Sequence, residues 1–135
     1  MGGVKILEHP NVALLSHLYE AFDKNDVATL SKLIREDAVW HVPGSTPVSG
    51  EHRGHTAIFA FFQRLAEMSE GTFRAQLVDV MASDMHAVAL ATVSGTRGER
   101  TYDSSYLLLF RIENERIVEA RLFNDDQEAF NAFWS

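Results

Sequence analysis

Met85-His86-Ala87-Val88-Ala89-Leu90-Ala91-Thr92-Val93-Ser94-Gly95-Thr96 is followed, across Arg97-Gly98-Glu99, by Thr101-Tyr102-Asp103-Ser104-Ser105-Tyr106-Leu107-Leu108-Leu109-Phe110-Arg111-Ile112. Both stretches are rich in apolar and β-branched residues and read with a period of two, the signature of strands. The gap between them suits a hairpin, so the two strands pair antiparallel. The same period extends outward, to Phe73–Ala82 before Ser83-Asp84 and to Arg116–Asn124 after Glu113-Asn114-Glu115. Four consecutive strands joined by such short turns form a meander.

Upstream of Phe73 the period is 3.6. Pro10 and Asn11 open a helix that carries Leu14, Leu15, Leu18, Tyr19 and Phe22 on one face. Lys24-Asn25-Asp26 breaks it, because Asn tolerates a left-handed turn and Asp26 can cap the next helix. That second helix stripes Val27, Leu30, Leu33 and Ile34, making a helical hairpin with the first. Asp37–Val42 is a short strand, and Pro43–Gly54 is a long loop with three glycines and two prolines. His55 or Thr56 starts a third helix whose Ile58, Phe61, Phe62, Leu65 and Met68 share a face, with Gly71 as its terminal cap. After the meander, Asp125 or Asp126 caps a short last helix bearing Phe130, Phe133 and Trp134; Asp125 and Glu128 have capping-box spacing.

Three helices followed by a curved, mainly antiparallel sheet make an α+β fold. The helices cover one face of the sheet. If the sheet curls, a cone-shaped cavity lies between the two layers, and the other face meets a partner or water. No repeat, linker or low-complexity run interrupts the 135 residues, so one domain over 1–135 is expected, able to bury roughly 68% of its unfolded surface.

Composition narrows the function. Hydrophobic residues at 46% and charged residues at 23% suit a globular chain and argue against disorder. The net charge of −7, from 12 Lys and Arg against 19 Asp and Glu, disfavours nucleic acid and anionic membrane surfaces as partners. With no cysteine, thiol catalysis and thiolate metal sites are excluded. Met1–Glu8 lacks the apolar run of a signal peptide, Ile6 breaks the myristoylation pattern, and no stretch approaches the ~20 apolar residues of a membrane span. A cytoplasmic location is expected. Glycine-rich phosphate loops, the G-x-S-x-G elbow and H-E-x-x-H are all absent from the sequence, so no cofactor is expected.

The arrangement resembles the nuclear transport factor 2-like superfamily, and within it the SnoaL-like, ketosteroid-isomerase-related proteins. The resemblance is carried by Leu18-Tyr19-Glu20-Ala21-Phe22 before Asn25-Asp26, by Ala38–Gly44, by Gly50-Glu51-His52-Arg53-Gly54 with Ala57-Ile58 and Phe61-Phe62, and by Arg116-Ile117-Val118-Glu119 before Asp125-Asp126-Gln127. It implies a cone-shaped α+β barrel, a homodimer formed through the outer sheet face, and an apolar pocket between helices and sheet. Members include polyketide cyclases, a steroid isomerase, an epoxide hydrolase and non-catalytic binding modules, since one scaffold serves many chemistries. Carried over position by position, the isomerase's hydrogen-bonding Tyr falls at Leu18, its proton-abstracting Asp at Val42 and its second acid near Leu108. The hydrolase's final-strand Asp falls at Leu122. Neither mechanism finds its acids here.

The candidate groups are therefore the chain's own. Histidine is the side-chain type suited to proton transfer at neutral pH, which makes His41 a candidate acid or base. Strict alternation puts it opposite Trp40 and Val42, and a bulge before Pro43 would turn it inward. Trp40, Phe62 and Tyr19 can wall a pocket, although Tyr19 reads first as ordinary core. Tyr102, Ser104 and Tyr106 share a face with Leu108, placing polar groups on an apolar wall. The same phase turns Leu122 and Asn124 inward, Asn124 as a ligand donor. Asp125 either caps the last helix or, meeting His41, completes an acid/base pair. His52 and His55 have no acidic partner at a fixed spacing, so no metal is expected. The expected function is cofactor-independent acid–base chemistry of an isomerase, cyclase or hydratase kind on a small apolar cyclic molecule, with a non-catalytic dimeric binding or assembly module as the alternative.

Overall fold

The computed structural model describes residues 9–135; Met1–Glu8, on which the reading of the leader rests, lie outside them. In chain order the elements are α1 (Pro10–Asp23), α2 (Val27–Leu33), β1 (Ile34–Val42), β2 (Gly50–Arg53), α3 (Gly54–Met68), β3 (Arg74–Ala82), β4 (His86–Arg97), β5 (Arg100–Glu113), β6 (Arg116–Asn124) and α4 (Gln127–Trp134). The six strands form one curved, unclosed sheet in the order β2-β1-β6-β5-β4-β3, and the helices cover its inner face, an α+β fold. The meander β3 to β6 is antiparallel throughout. β1 joins it parallel to β6, with Trp40 opposite Ala120, so the sheet is mixed.

The predicted punctuation acts as its chemistry requires. Asn25 takes a left-handed φ of 53° between α1 and α2. The Asp26 carboxylate accepts from the Thr29 backbone N–H at 3.1 Å and from its hydroxyl at 2.7 Å. Gly71 turns left-handed after α3, at φ 77°. Asn11, 5% exposed, donates to the carbonyls of Ser83 and Asp84 and ties α1 to the β3–β4 turn.

Three expectations need correction. Ile34 belongs to β1 and not to the helical stripe; at φ −104° and ψ 122° it is extended and fully buried opposite Ile117, and tertiary pairing overrides a weak helical preference for a β-branched residue. The expected loop contains a strand, β2, whose Gly-Glu-His-Arg sequence carries no apolar alternation because it is a short polar edge. The last helix is capped by Asp126, which accepts from the Ala129 N–H at 3.0 Å, whereas the Asp125 backbone N–H donates to the Ser105 carbonyl and extends the β5–β6 ladder. The Asp125–Glu128 spacing is therefore one residue out of register with the real cap.

Asp126→Ala should cost about 1 kcal/mol of stability through the lost cap, while Asp125→Ala should change it by only a few tenths. Paired denaturant melts distinguish the two.

Candidate functional site

Alternation along β1 decides what faces inward. Ala38, Trp40 and Val42 are buried under the helices, and His41 points to the outer face. No bulge precedes Pro43, because β1 and β2 pair without interruption from Val39–Arg53 to Val42–Gly50. On the outer face His41 Nε2 lies 2.8 Å from Glu119 Oε2, and Nδ1 lies 3.5 Å from Glu51 Oε1. That hydrogen bond, with Arg111 and Arg121 nearby, holds the Glu119 carboxyl below its ordinary range. Thus His41 has two carboxylates as partners and does not reach the interior.

Between sheet and helices lies an inner chamber of about 80 Å³. Its floor is the inner face of β4, β5 and β6, with Val93, Tyr102, Tyr106, Leu108, Leu122 and Asn124. Its roof comes from Leu18, Tyr19 and Phe22 of α1, Leu30 of α2, and Phe61, Phe62 and Leu65 of α3; Trp40, Phe73, Ala75, Phe130 and Trp134 close the sides. Trp40 stands edge-on to Phe62 at 5.2 Å and to Phe110 at 5.7 Å, so the wall is a lattice of aromatic edges and faces. Leu18, Leu108 and Leu122, the positions onto which the resemblance carries the isomerase's and hydrolase's functional groups, face this space as hydrocarbon.

The polar content is small and placed. Tyr19 and Tyr106 join hydroxyl to hydroxyl at 2.7 Å. Burial pushes the Tyr106 phenol up to about 12, a rise its bond to Tyr19 partly offsets. Burial, then the Tyr106 neighbour, raises Tyr19 well above the ordinary value. Both are neutral at physiological pH, so one donates to the other and the acceptor retains its own O–H for a third atom. Asn124 is the registered partner of Tyr106 across the β5–β6 ladder. Its Nδ2 donates to Gln127 Oε1 at 3.0 Å, and Gln127 Nε2 donates to Asn131 Oδ1 at 3.0 Å, an amide relay that fixes the Asn124 side chain.

Tyr102 stands apart. It is 4% exposed, its ring stacks on Phe133 at 5.2 Å, and its hydroxyl finds no hydrogen-bond partner among the described residues. Burial raises its pKa; the Ser104 hydroxyl, close by but outside hydrogen-bond geometry, offsets part of that, and Asp126 and Asp125 add to it. Four residues along one strand separate Tyr102 from Tyr106, roughly 13 Å, so the two phenols serve different parts of the chamber.

The structure therefore brings Tyr19, Trp40, Phe62, Tyr102, Tyr106, Leu122 and Asn124 together at one space. Ser104 is half-buried on the same strand but does not line it, and Asp125 is exposed at the end of β6. The proposed His41–Asp125 pair does not form, since His41 is engaged by Glu119 and Glu51. His52 and His55 hydrogen-bond to the carbonyls of Val48 and Ile34 and stack on Phe61 and Phe59. Sequence reading passed over Phe22, Phe73 and Trp134 as chamber walls; each lay on a predicted apolar face or strand, but nothing in the pattern separates a wall from ordinary core.

Outside the chamber a larger cleft of about 670 Å³ lies between the α1–α2 corner, α3 and the start of β3. Phe22, Leu30, Phe62, Phe73 and Ala75 line both spaces.

The fold and this interior are those of the SnoaL-like domain, whose family signature matches residues 15–120. The chain belongs to that family. It is similar to Bal32a, from a soil-derived mobile gene cassette: 33% identity, a TM-score of 0.90, and 93% of this chain and 97% of that one covered. A cystatin-like-fold protein from Xanthomonas campestris matches at 34% identity and a TM-score of 0.85, over 92% and 97% of the two chains. IdmH of Streptomyces antibioticus, a proposed polyketide cyclase, shares the fold at 23% identity and a TM-score of 0.71, over 87% and 93%. No helix among the described residues is long and apolar enough to cross a membrane.

All three tyrosines of the chain have raised pKa values. A phenol whose folded pKa is raised adds stability that is complete below its ordinary value near 10 and is lost as pH climbs towards about 12. A near-ultraviolet titration should show less than half of the phenols ionised at pH 10, with the remainder ionising together with alkaline unfolding.

Proposed function

We propose that this SnoaL-like protein binds a small, apolar, cyclic molecule in the inner chamber and holds an oxygen of that molecule on a neutral phenol. The observation that carries this is the Tyr102 hydroxyl, buried in a chamber wall without a partner. An unmet buried hydroxyl costs about 1–3 kcal/mol, a cost that is recovered when a ligand oxygen or N–H meets it. The Tyr19–Tyr106 pair and Asn124 supply a second polar point, and the remaining surface is hydrocarbon and aromatic.

Neutral phenols donate hydrogen bonds and polarise a carbonyl; they do not take protons at pH 7. The chamber walls hold no carboxylate or imidazole among the described residues. The isomerase or cyclase reading therefore takes the form of electrophilic activation of a carbonyl. The same absence favours ligand binding without turnover as the second reading. His41 and Asp125 take no part in either.

Trp40 and Trp134, the chain's two tryptophans, both line the chamber, so ligand entry should quench intrinsic fluorescence. With acetophenone as probe, Tyr102→Phe should weaken binding about 10-fold while leaving thermal stability equal or higher, since it removes the unmet hydroxyl. His41→Ala and Asp125→Ala should leave the affinity unchanged. Equal affinity in wild type and Tyr102→Phe would sink the reading.

We propose also that a second copy of the chain covers the outer sheet face. Leu107 and Phe123, cross-strand neighbours 41% and 50% exposed, make an apolar patch with Met81 at 55%. The border carries both signs of charge, with Arg111 and Arg121 around Glu119, as a two-fold contact of like with like requires. Leu107→Asp with Phe123→Asp should convert a dimer to a monomer in light scattering without loss of fold; a wild-type monomer refutes the proposal.

A further inference from the structure

Resting on the reading of the chamber as the ligand site, we propose that the molecule bound is bipartite: one carbonyl-bearing ring enters the chamber, and a larger body of mixed polarity stays in the outer cleft. Size forces the division. Sites for ligands of drug size occupy roughly 300–1,000 Å³. The chamber, at about 80 Å³, falls well short of that, while the cleft beside it reaches about 670 Å³. At about 10–15 Å³ per water, the chamber has room for a handful of heavy atoms, the scale of a single ring.

The two spaces share five lining residues, and three of them are phenylalanines. Phe22 stands edge-on to Phe62 at 5.2 Å and to Phe73 at 6.3 Å, and all three line both spaces. Each comes from a different part of the fold, α1, α3 and the residue before β3. Edge-to-face contacts turn without breaking a hydrogen bond, so a slim linkage passes where a fused polycycle does not. None of the three is fully buried.

The cleft differs chemically from the chamber. Val27, 49% exposed, and the half-buried Phe59 give it an apolar floor, and Thr56, Gln63, Asp23 and Arg74 lie around it. The Arg74 guanidinium donates to the carbonyls of Gly71 and Phe73, which holds it at the rim near the phenylalanines. With Asp23 and Arg74 both present, the cleft presents one charge of each sign. It suits an uncharged body carrying amide or hydroxyl groups beside an aromatic surface.

Acetophenone and para-acetylbenzanilide share the head and differ in the body. Their dissociation constants, read from tryptophan quenching, test the division. In the wild type the benzanilide should bind about 10-fold tighter, because only it fills the cleft. Ala60→Phe, a substitution at an exposed α3 position lining the cleft, should abolish that advantage and leave acetophenone within about 2-fold of wild type. Tyr102→Phe should weaken both ligands by the same factor. Equal affinity of the two ligands in the wild type, or an unaltered benzanilide affinity in Ala60→Phe, overturns the bipartite ligand and leaves the chamber reading standing. Failure of both ligands to bind the wild type overturns the two together.

Discussion

The parallel seam between β1 and β6 is the contact on which the rest of the molecule depends. A meander of four antiparallel strands has one face for helices and no means of enclosing space. Pairing Trp40 opposite Ala120 adds β1 beyond β6 and brings α3 over the inner face behind it. Because side chains alternate strictly, that register sends Trp40 into the chamber and His41 out of it in one step. The irregularity between Ile34 and Val39 absorbs the mismatch between the buried start of the strand and its paired end.

An interior lined this way balances two demands. Close packing favours filling any void, and Trp40, Phe62, Phe110 and Phe22 interlock edge to face where they can. Rigid rings at fixed angles also fill space less completely than branched aliphatic chains, and Leu18, Leu108 and Leu122 line the space that is left. The phenols are then kept neutral by the burial that makes them useful as donors. Tyr19 and Tyr106 satisfy each other and Tyr102 does not share that arrangement, which makes it the most informative atom in the molecule.

The outer face follows a different logic. His41, Glu51, Glu119, Arg111 and Arg121 form a network of charge around a strip of exposed apolar residues. A histidine with a partner on each ring nitrogen is a structural group of the sheet surface. Proton-transfer potential in an isolated side chain says nothing about which side of a sheet it occupies.

Periods, caps and turns are local properties, and the sequence was legible wherever structure depends on them. The meander, the helical hairpin, the Asp26 cap and the left-handed Asn25 all follow from neighbours within four residues. Tyr102 and Tyr106 share a face of β5, and Leu122 and Asn124 a face of β6, because a strand has period two; that both faces turn inward was implied by the family resemblance, and the chamber lining agrees. The polar strand β2, the strand state of Ile34, the cap at Asp126 and the outward turn of His41 depend on pairing with residues far along the chain. Cavity size depends on distances between rings from α1, α3, β1 and the residue before β3, which no linear pattern encodes. Sequence by itself determined which groups could meet a ligand. Only tertiary structure decided which of them line the chamber, because that choice is made by long-range registry and by the space left over after packing.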